Sequence, residues 1–289
     1  MKRFLLTSAA CSAMAICATP ASAEAIYGLT NLQQLVTFDS ETRTVTNTAS
    51  LPGFSVGGQF LVSIDVRPAT GELYALSNQN NIFVINPMTG TSTQIASALP
   101  LTGSLKSIDF NPTVDRIRVL DTNDNNLRAN PIDGTFLTDG TLAFSAGDVN
   151  FGDNPAIVNA GYTNSFAGAT STTLYDIDAL NDVLVTQTPA NNGTLQTVGS
   201  LGFDIVSSAG FTGFDISGQS GVAYLVGNKL GTGGLTANSL YTVDLGTGAA
   251  ALAGAVSGVT GTFRDIAVVP EPTSLALLGL AALLTRRRK

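Results

Sequence analysis

The sequence predicts an all-β chain folded as a single β-propeller of five blades, and three observations carry that expectation. Between residues 24 and 269 apolar residues alternate at period two, with Val, Ile, Thr, Phe and Tyr interrupted by Gly, Asn, Asp and Pro. The composition is turn-rich and weakly charged, with 30 glycines, 11 prolines and 12% charged residues. A motif of several short strands recurs with a period of roughly 50 residues, the size of a propeller blade.

The first two copies are the clearest. Ser63-Ile64-Asp65-Val66-Arg67-Pro68 leads into Thr70-Gly71-Glu72-Leu73-Tyr74-Ala75-Leu76, then Ile82 to Pro87 and Thr89-Gly90. Ser107-Ile108-Asp109-Phe110-Asn111-Pro112 leads into Arg116-Ile117-Arg118-Val119-Leu120, then Asn126 to Pro131 and Asp133-Gly134. A third copy is degraded at Val158-Asn159-Ala160-Gly161-Tyr162 and recovers at Thr173 to Asp178. The fourth runs through Gly213-Phe214-Asp215-Ile216, Gly221 to Val226 and Ser239 to Asp244. Asp65, Asp109, Asp215 and Asp265 read as equivalent anchors 44, 106 and 50 residues apart, the long gap being two units. Leu73 to Leu76 and Ala223 to Val226 are apolar on both faces and are predicted central strands. The Thr-Gly pairs after Asn86-Pro87 and Asp244 are predicted turns, where Gly supplies the positive φ.

The ends of this body complete each other. Residues 264–269 read as a first strand without successors, and residues 25–39 as later strands without a first. Pairing them makes the fifth blade and closes the ring, leaving no open edge. A sixth blade would have to hide in the irregular stretch 135–165.

Residues 1–23 have the build of a secretory signal peptide: Lys2 and Arg3, an apolar stretch, and the small residues Ala21 and Ala23 at the cleavage point. Cys11 and Cys17 both lie inside it, and the chain has no His. The exported body therefore has no means for Ser-His-Asp or Cys-His catalysis. Loss of Lys2, Arg3 and the four terminal cations leaves 8 Lys+Arg, and loss of Glu271 leaves 20 Asp+Glu, a net charge near −12. Such a body suits cations and is a poor partner for nucleic acid. The other end runs Pro270-Glu271-Pro272, then an apolar run from Leu275 to Leu284, then Arg286, Arg287, Arg288 and Lys289. The run is short of the ~20 residues of a spanning helix. Its cations would nevertheless hold a short transmembrane helix on the cytoplasmic side.

This tail resembles the PEP-CTERM sorting signal across residues 270–289. The resemblance implies export through the inner membrane and transient anchoring by the tail. It also implies an exosortase-type membrane protease acting near Pro270, Glu271 and Pro272, with delivery to the cell surface or the extracellular space. The body, through "IDVRPATGELYAL", "IDFNPTVDRIRVL", "NNLRANPIDG" and "LYDIDALNDVLVTQTPANNGTLQTVG", resembles the bacterial domain-of-unknown-function family 4394 from about Tyr27 to Val268. That resemblance implies a propeller of secreted or surface proteins and brings no settled activity.

Arg67, Arg116, Arg118 and Arg128 gather in two neighbouring units and are candidate ligand-binding residues. Guanidinium groups facing a channel grip a carboxylate or acidic sugar through paired hydrogen bonds. The structural reading makes them clamps between blades, bonded to Asp65, Asp109 or Asp115, and repetition in register with the blade favours it. Asp121, Asn123 and Asn125 offer oxygens at alternate positions, as a calcium loop begins, without the Gly and Glu of an EF-hand. Calcium is the one cofactor the sequence admits, and none is required. Asp176 with Asp178, and Asp148 with Asn150 and Asp153, are further oxygen donors. Hydrolysis would rest on paired carboxylates, yet the body has only Glu24, Glu41 and Glu72 as glutamates and no Trp to stack on a sugar. The sequence favours a non-catalytic surface propeller that binds polysaccharide or an envelope protein. The alternatives are a carboxylate-based glycan-active enzyme and a purely structural matrix protein.

Overall fold

The computed structural model describes residues 23–55, 57–96, 98–205, 212–230 and 236–270. Ala23 and Pro270 fall inside this set. Residues 1–22 with Ala21, and residues 271–289 with Glu271, Pro272, Arg286, Arg287 and Arg288, lie outside it. Among the described residues no helix is long and apolar enough to cross a membrane.

Five sheets stand around one axis. The chain begins with β1 (Ala25–Thr30), β2 (Gln34–Asp39) and β3 (Val45–Ser50), the outer strands of blade I. Blade II follows as β4 (Leu61–Val66), β5 (Leu73–Ser77), β6 (Ile82–Ile85) and β7 (Ser92–Ala96). Blade III is β8 (Lys106–Asn111), β9 (Arg116–Asp121), β10 (Asn126–Ala129) and β11 (Phe136–Thr138). The short β12 (Ala143–Phe144) then joins blade IV, which continues as β13 (Ile157–Tyr162), β14 (Leu174–Asp178), β15 (Val183–Gln187) and β16 (Thr194–Ser200). Blade V holds β17 (Asp204–Ile205) and β18 (Thr212–Ile216), both paired with β19 (Ala223–Leu230), then β20 (Thr236–Val243) and β21 (Ala250–Ala255). Finally β22 (Phe263–Val268) pairs antiparallel with β1, with Gly28 opposite Ile266, and becomes the inner strand of blade I. The closure expected from residues 264–269 and 25–39 is the one observed. Stretch 135–165 hides no sixth blade, since β11 and β12 are outer-edge pieces and β13 is an inner strand.

Burial follows from stacking sheet against sheet. Each gap between adjacent blades holds its own apolar cluster, such as Tyr74, Leu76, Ile108 and Phe110 between blades II and III. Second strands are covered on both faces, which is why every residue of β5 is buried and why its sequence is apolar from Leu73 to Leu76. Outer strands see solvent, and β11 is exposed along its whole length.

Inner strands turn an unpaired backbone edge toward the axis, and buried N–H groups there need acceptors. Side chains of the preceding blade supply them in two layers. In one layer Ser63 Oγ takes the N–H of Ile108, Ser107 Oγ that of Ala160, and Asp265 Oδ2 that of Ile64. In the other, Asp65 Oδ2 takes Phe110, Asp109 Oδ1 takes Tyr162 and Asp215 Oδ2 takes Val268. Gly161 and Ala267 hold the remaining places of that layer and lack an acceptor. The N–H groups they would serve, of Ile216 and Val66, are taken by Asp215 and Asp65 themselves at 2.6 Å. The anchor assignment is thereby corrected: Asp265 shares the layer of Ser63, Ser107, Asn159 and Gly213, two residues out of step with Asp65, Asp109 and Asp215. Gly213 is required where it stands, because a Cβ there would lie 2.6 Å from Asp265 Cα.

Candidate functional site: the axial channel and its mouth

Just before the Ser63–Asp265 layer, each inner strand contributes one residue to a ring at the channel mouth: Val62, Lys106, Val158, Thr212 and Arg264. These line a cavity of about 100 Å³ together with Phe60, Asn78, Ser104, Leu105 and Asn159. A cavity of this size takes a few atoms, such as the end of a larger ligand, and falls short of the roughly 300–1,000 Å³ that encloses a whole small molecule. The Arg264 guanidinium lies 4.9 Å from the ring centroid of Phe60. The Lys106 Nζ donates to the Asn78 carbonyl at 2.8 Å. Burial pulls both cations below their ordinary pKa, with the Asp121 charge opposing the shift at Lys106. Two cationic heads flank Val62, and Ser104, Thr212 and Asn159 add neutral polar groups to the apolar Phe60, Leu105 and Val158.

Beneath the mouth sit four buried carboxyl groups. Burial raises all of them, Asp215 to about 7 and Asp265 to about 8, with Asp65 and Asp109 also well above the usual carboxylate range; repulsion from neighbouring aspartates adds to it at Asp65, Asp109 and Asp265, and from Glu24 at Asp215. Backbone N–H bonds pull in the opposite direction without overcoming burial.

The four candidate arginines are distributed differently. Arg67 makes a bidentate contact with Asp115 of the next blade, its Nε 2.8 Å from Oδ1, and Asp115 is held below the usual carboxylate range by that pairing. Arg116, Arg118 and Arg128 do come together, at a concavity between blades III and IV on the face opposite the channel mouth. Arg118 is buried there, bonded to Asn126, Asp139, Asn191 and Tyr162. Arg128 forks onto the same Asp139 at 2.7 and 2.9 Å. Arg116 is exposed and donates to the Asp115 carbonyl. Three of the four thus spend their guanidinium on carboxylates of the fold.

In the Asp121 loop both carboxylate oxygens accept N–H groups, from Thr102, Gly103, Asn123 and Asn125. Asn123 and Asn125 turn their Nδ2 ends inward toward Thr102 Oγ1, and Asn125 also toward Asp121. The described loop is a hydrogen-bonded turn. Asp178 caps a turn through Ala156, Leu180 and Asn181, and Asp148 fastens Thr197 of β16. Asp176 is fully buried and neither of its carboxyl oxygens has a hydrogen-bond partner.

Comparison with known proteins agrees with this architecture. The family model described as "Domain of unknown function (DUF4394)" matches residues 34–267, and the PEP-CTERM protein-sorting motif matches residues 268–289. No curated protein matches the chain. A solved protein of unknown function from Bacteroides thetaiotaomicron aligns with a TM-score of 0.53 at 15% identity, over 86% of this chain and 65% of its own. The structure of a nidogen/laminin complex gives 0.49 at 13% identity, over 86% and 98%. Glutaminyl cyclase from Myxococcus xanthus gives 0.46 at 13% identity, over 73% and 83%. The first of these shares the propeller fold; identities this low reach no further.

Proposed function

The chain belongs to the DUF4394 family and ends in a PEP-CTERM sorting motif, and from that premise we propose that it is an exported, non-catalytic binding propeller of the cell surface or extracellular matrix. Its ligand enters the channel mouth, and the chemistry of that mouth favours the acidic end of a polysaccharide or another anionic envelope component. One observation carries the reading: a cavity of about 100 Å³ at the channel mouth, to which every inner strand contributes one residue, two of them the cations Lys106 and Arg264. Apolar walls with a few convergent polar groups are the usual build of a ligand site. Exosortase-type processing of the tail is the partner relationship that the sorting motif itself implies.

Thermal unfolding of the purified chain against acidic and neutral oligosaccharides tests it. A ligand that binds the native state raises the midpoint with the logarithm of its concentration. Uronic-acid oligosaccharides are expected to do so and neutral ones to do so far less, with Lys106→Gln losing most of the difference. The reading is overturned if no member of the panel moves the midpoint, or if Lys106→Gln responds as the parent does. Hydrolysis is the competing reading, favoured by the raised carboxyl groups of Asp215 and Asp265 below the cavity. Appearance of shortened oligosaccharides, lost in Asp215→Asn, would establish it instead.

A further inference from the structure

We propose that the axial channel holds one divalent cation, coordinated by Asp65, Asp109 and Asp215, and that calcium is the ion these donors fit. Each of the three residues offers a carboxylate oxygen within 4.8 Å of the other two. Oxygens bound to one calcium at 2.3–2.6 Å stand at most about 5 Å apart, and magnesium keeps several of its own waters rather than accept an all-protein cage. The donors are all hard oxygens, with no thiolate or imidazole to draw a softer metal.

Geometry of the cluster argues for an ion beyond mere proximity. All three side chains are almost wholly buried, and the described ion pairs of the molecule involve other carboxylates, Glu72, Asp115 and Asp139. Hydrogen bonds to the three carboxylates come from backbone N–H groups of Val66, Phe110, Tyr162, Ile216 and Val268. Those bonds fix the carboxylates in place and favour their ionised form. A carboxylate oxygen that accepts one N–H keeps a lone pair for a metal.

Asn159 supplies an independent observation. It is 2% exposed, and its Oδ1 has no hydrogen-bond partner. Its Nδ2 lies 3.4 Å from Asp265 Oδ1. Asp265 belongs to β22, two inner strands away around the ring, so the amide reaches past β18 at Gly213 and lies in the channel. There it lines the cavity at the mouth, in the layer of inner-strand residues next to that of Asp65, Asp109 and Asp215. A buried amide oxygen with nothing to bond, one layer from three buried carboxylates in the same channel, is the kind of oxygen donor that calcium takes.

The test uses the full-length chain, stripped with EGTA and then titrated with calcium or magnesium alone. One equivalent of calcium per chain by elemental analysis is expected, with a rise of several degrees in unfolding midpoint and a weaker response to magnesium. Asp109→Asn keeps an acceptor for the Tyr162 N–H but removes a charge, and should weaken calcium at least tenfold. Should that variant fail to fold, Asn159→Ala, which leaves the lacing of the strand edges intact, should lower affinity by a measurable factor. The proposal falls if millimolar calcium neither binds nor moves the midpoint of the parent chain, because the carboxyls then hold protons in place of an ion. It falls equally if Asp109→Asn and Asn159→Ala both retain calcium at parental affinity, which would put the ion elsewhere, as at Asp121.

Discussion

Arg118 carries its charge into the gap between blades III and IV, where Asp139, Asn126, Asn191 and Tyr162 surround the guanidinium. Breaking a buried pair on one side leaves a stranded charge, so Arg118→Met should cost about 3 kcal/mol in urea unfolding. Arg118→Lys should recover little of it, because an ammonium cannot reproduce the planar fork. Arg128, a third exposed and sharing Asp139, should cost about 1 kcal/mol as Ala. Asp176 shows the opposite situation. Burial without hydrogen bonds raises its carboxyl well above the usual range, opposed only by the charge of Arg118. A carboxyl that holds its proton more tightly when folded stabilises the native state fully below the unfolded pKa of ~3.9 and loses that contribution as pH rises through the folded value. Asp176→Asn should therefore gain more in urea midpoint over the parent at pH 8 than at pH 4. Equal gains at both would mean that the carboxyl is not protonated in the native protein.

Ring closure is a property of β22, an element of six residues that completes blade I and packs against β4 and β18. Its removal opens two inter-blade gaps at once, so deletion of Arg264 to Val269 should abolish the cooperative unfolding transition of the whole body. Gly213→Ala is the milder probe. It sets a methyl against the β22 backbone and should cost about 1–3 kcal/mol, as overpacking does. An unchanged midpoint in the glycine variant would show that the inner strands can part at no cost. Most of this architecture was legible: period-two alternation, the recurring Asp and Thr-Gly positions, and the incomplete ends of the body determine strands, turns, blade count and seam. The fine register was less so, because Asp265 mimics Asp215 in its local sequence while Ala267 and Gly161 occupy the true equivalent places without a carboxylate. The site was harder still. Val62, Lys106, Val158, Thr212 and Arg264 are two valines, a lysine, a threonine and an arginine, and only their common offset from the inner layer makes them one ring. The arginines stand out in the sequence because charge is visible there, whereas the pairing of Arg67, Arg118 and Arg128 with carboxylates of the fold is not.

At the scale of the molecule, the two ends of the body leave it together. Val269 N–H bonds to the Ala25 carbonyl at 2.9 Å, and Ala23 and Pro270 border the same shallow depression on blade I. This is the face where inner strands end, whereas the cavity opens where they begin. Four residues, Glu271 to Ser274, separate Pro270 from the apolar run, and four residues reach at most about 14 Å. A chain still held by its tail is therefore expected to keep the exit face beside the bilayer and to present the channel mouth to the outside. The body from residue 24 onward has no cysteine, which makes single-cysteine labelling a direct check. Ser104→Cys at the mouth and Glu41→Cys near the exit should react at similar rates with a membrane-impermeant maleimide once the tail, Pro270 to Lys289, is deleted. With the tail in the membrane, Glu41→Cys should slow several-fold while Ser104→Cys keeps its rate. Equal slowing of both would mean that the propeller lies on its side, with the mouth turned toward the lipid, and a slowed Ser104→Cys alone would mean that it hangs inverted.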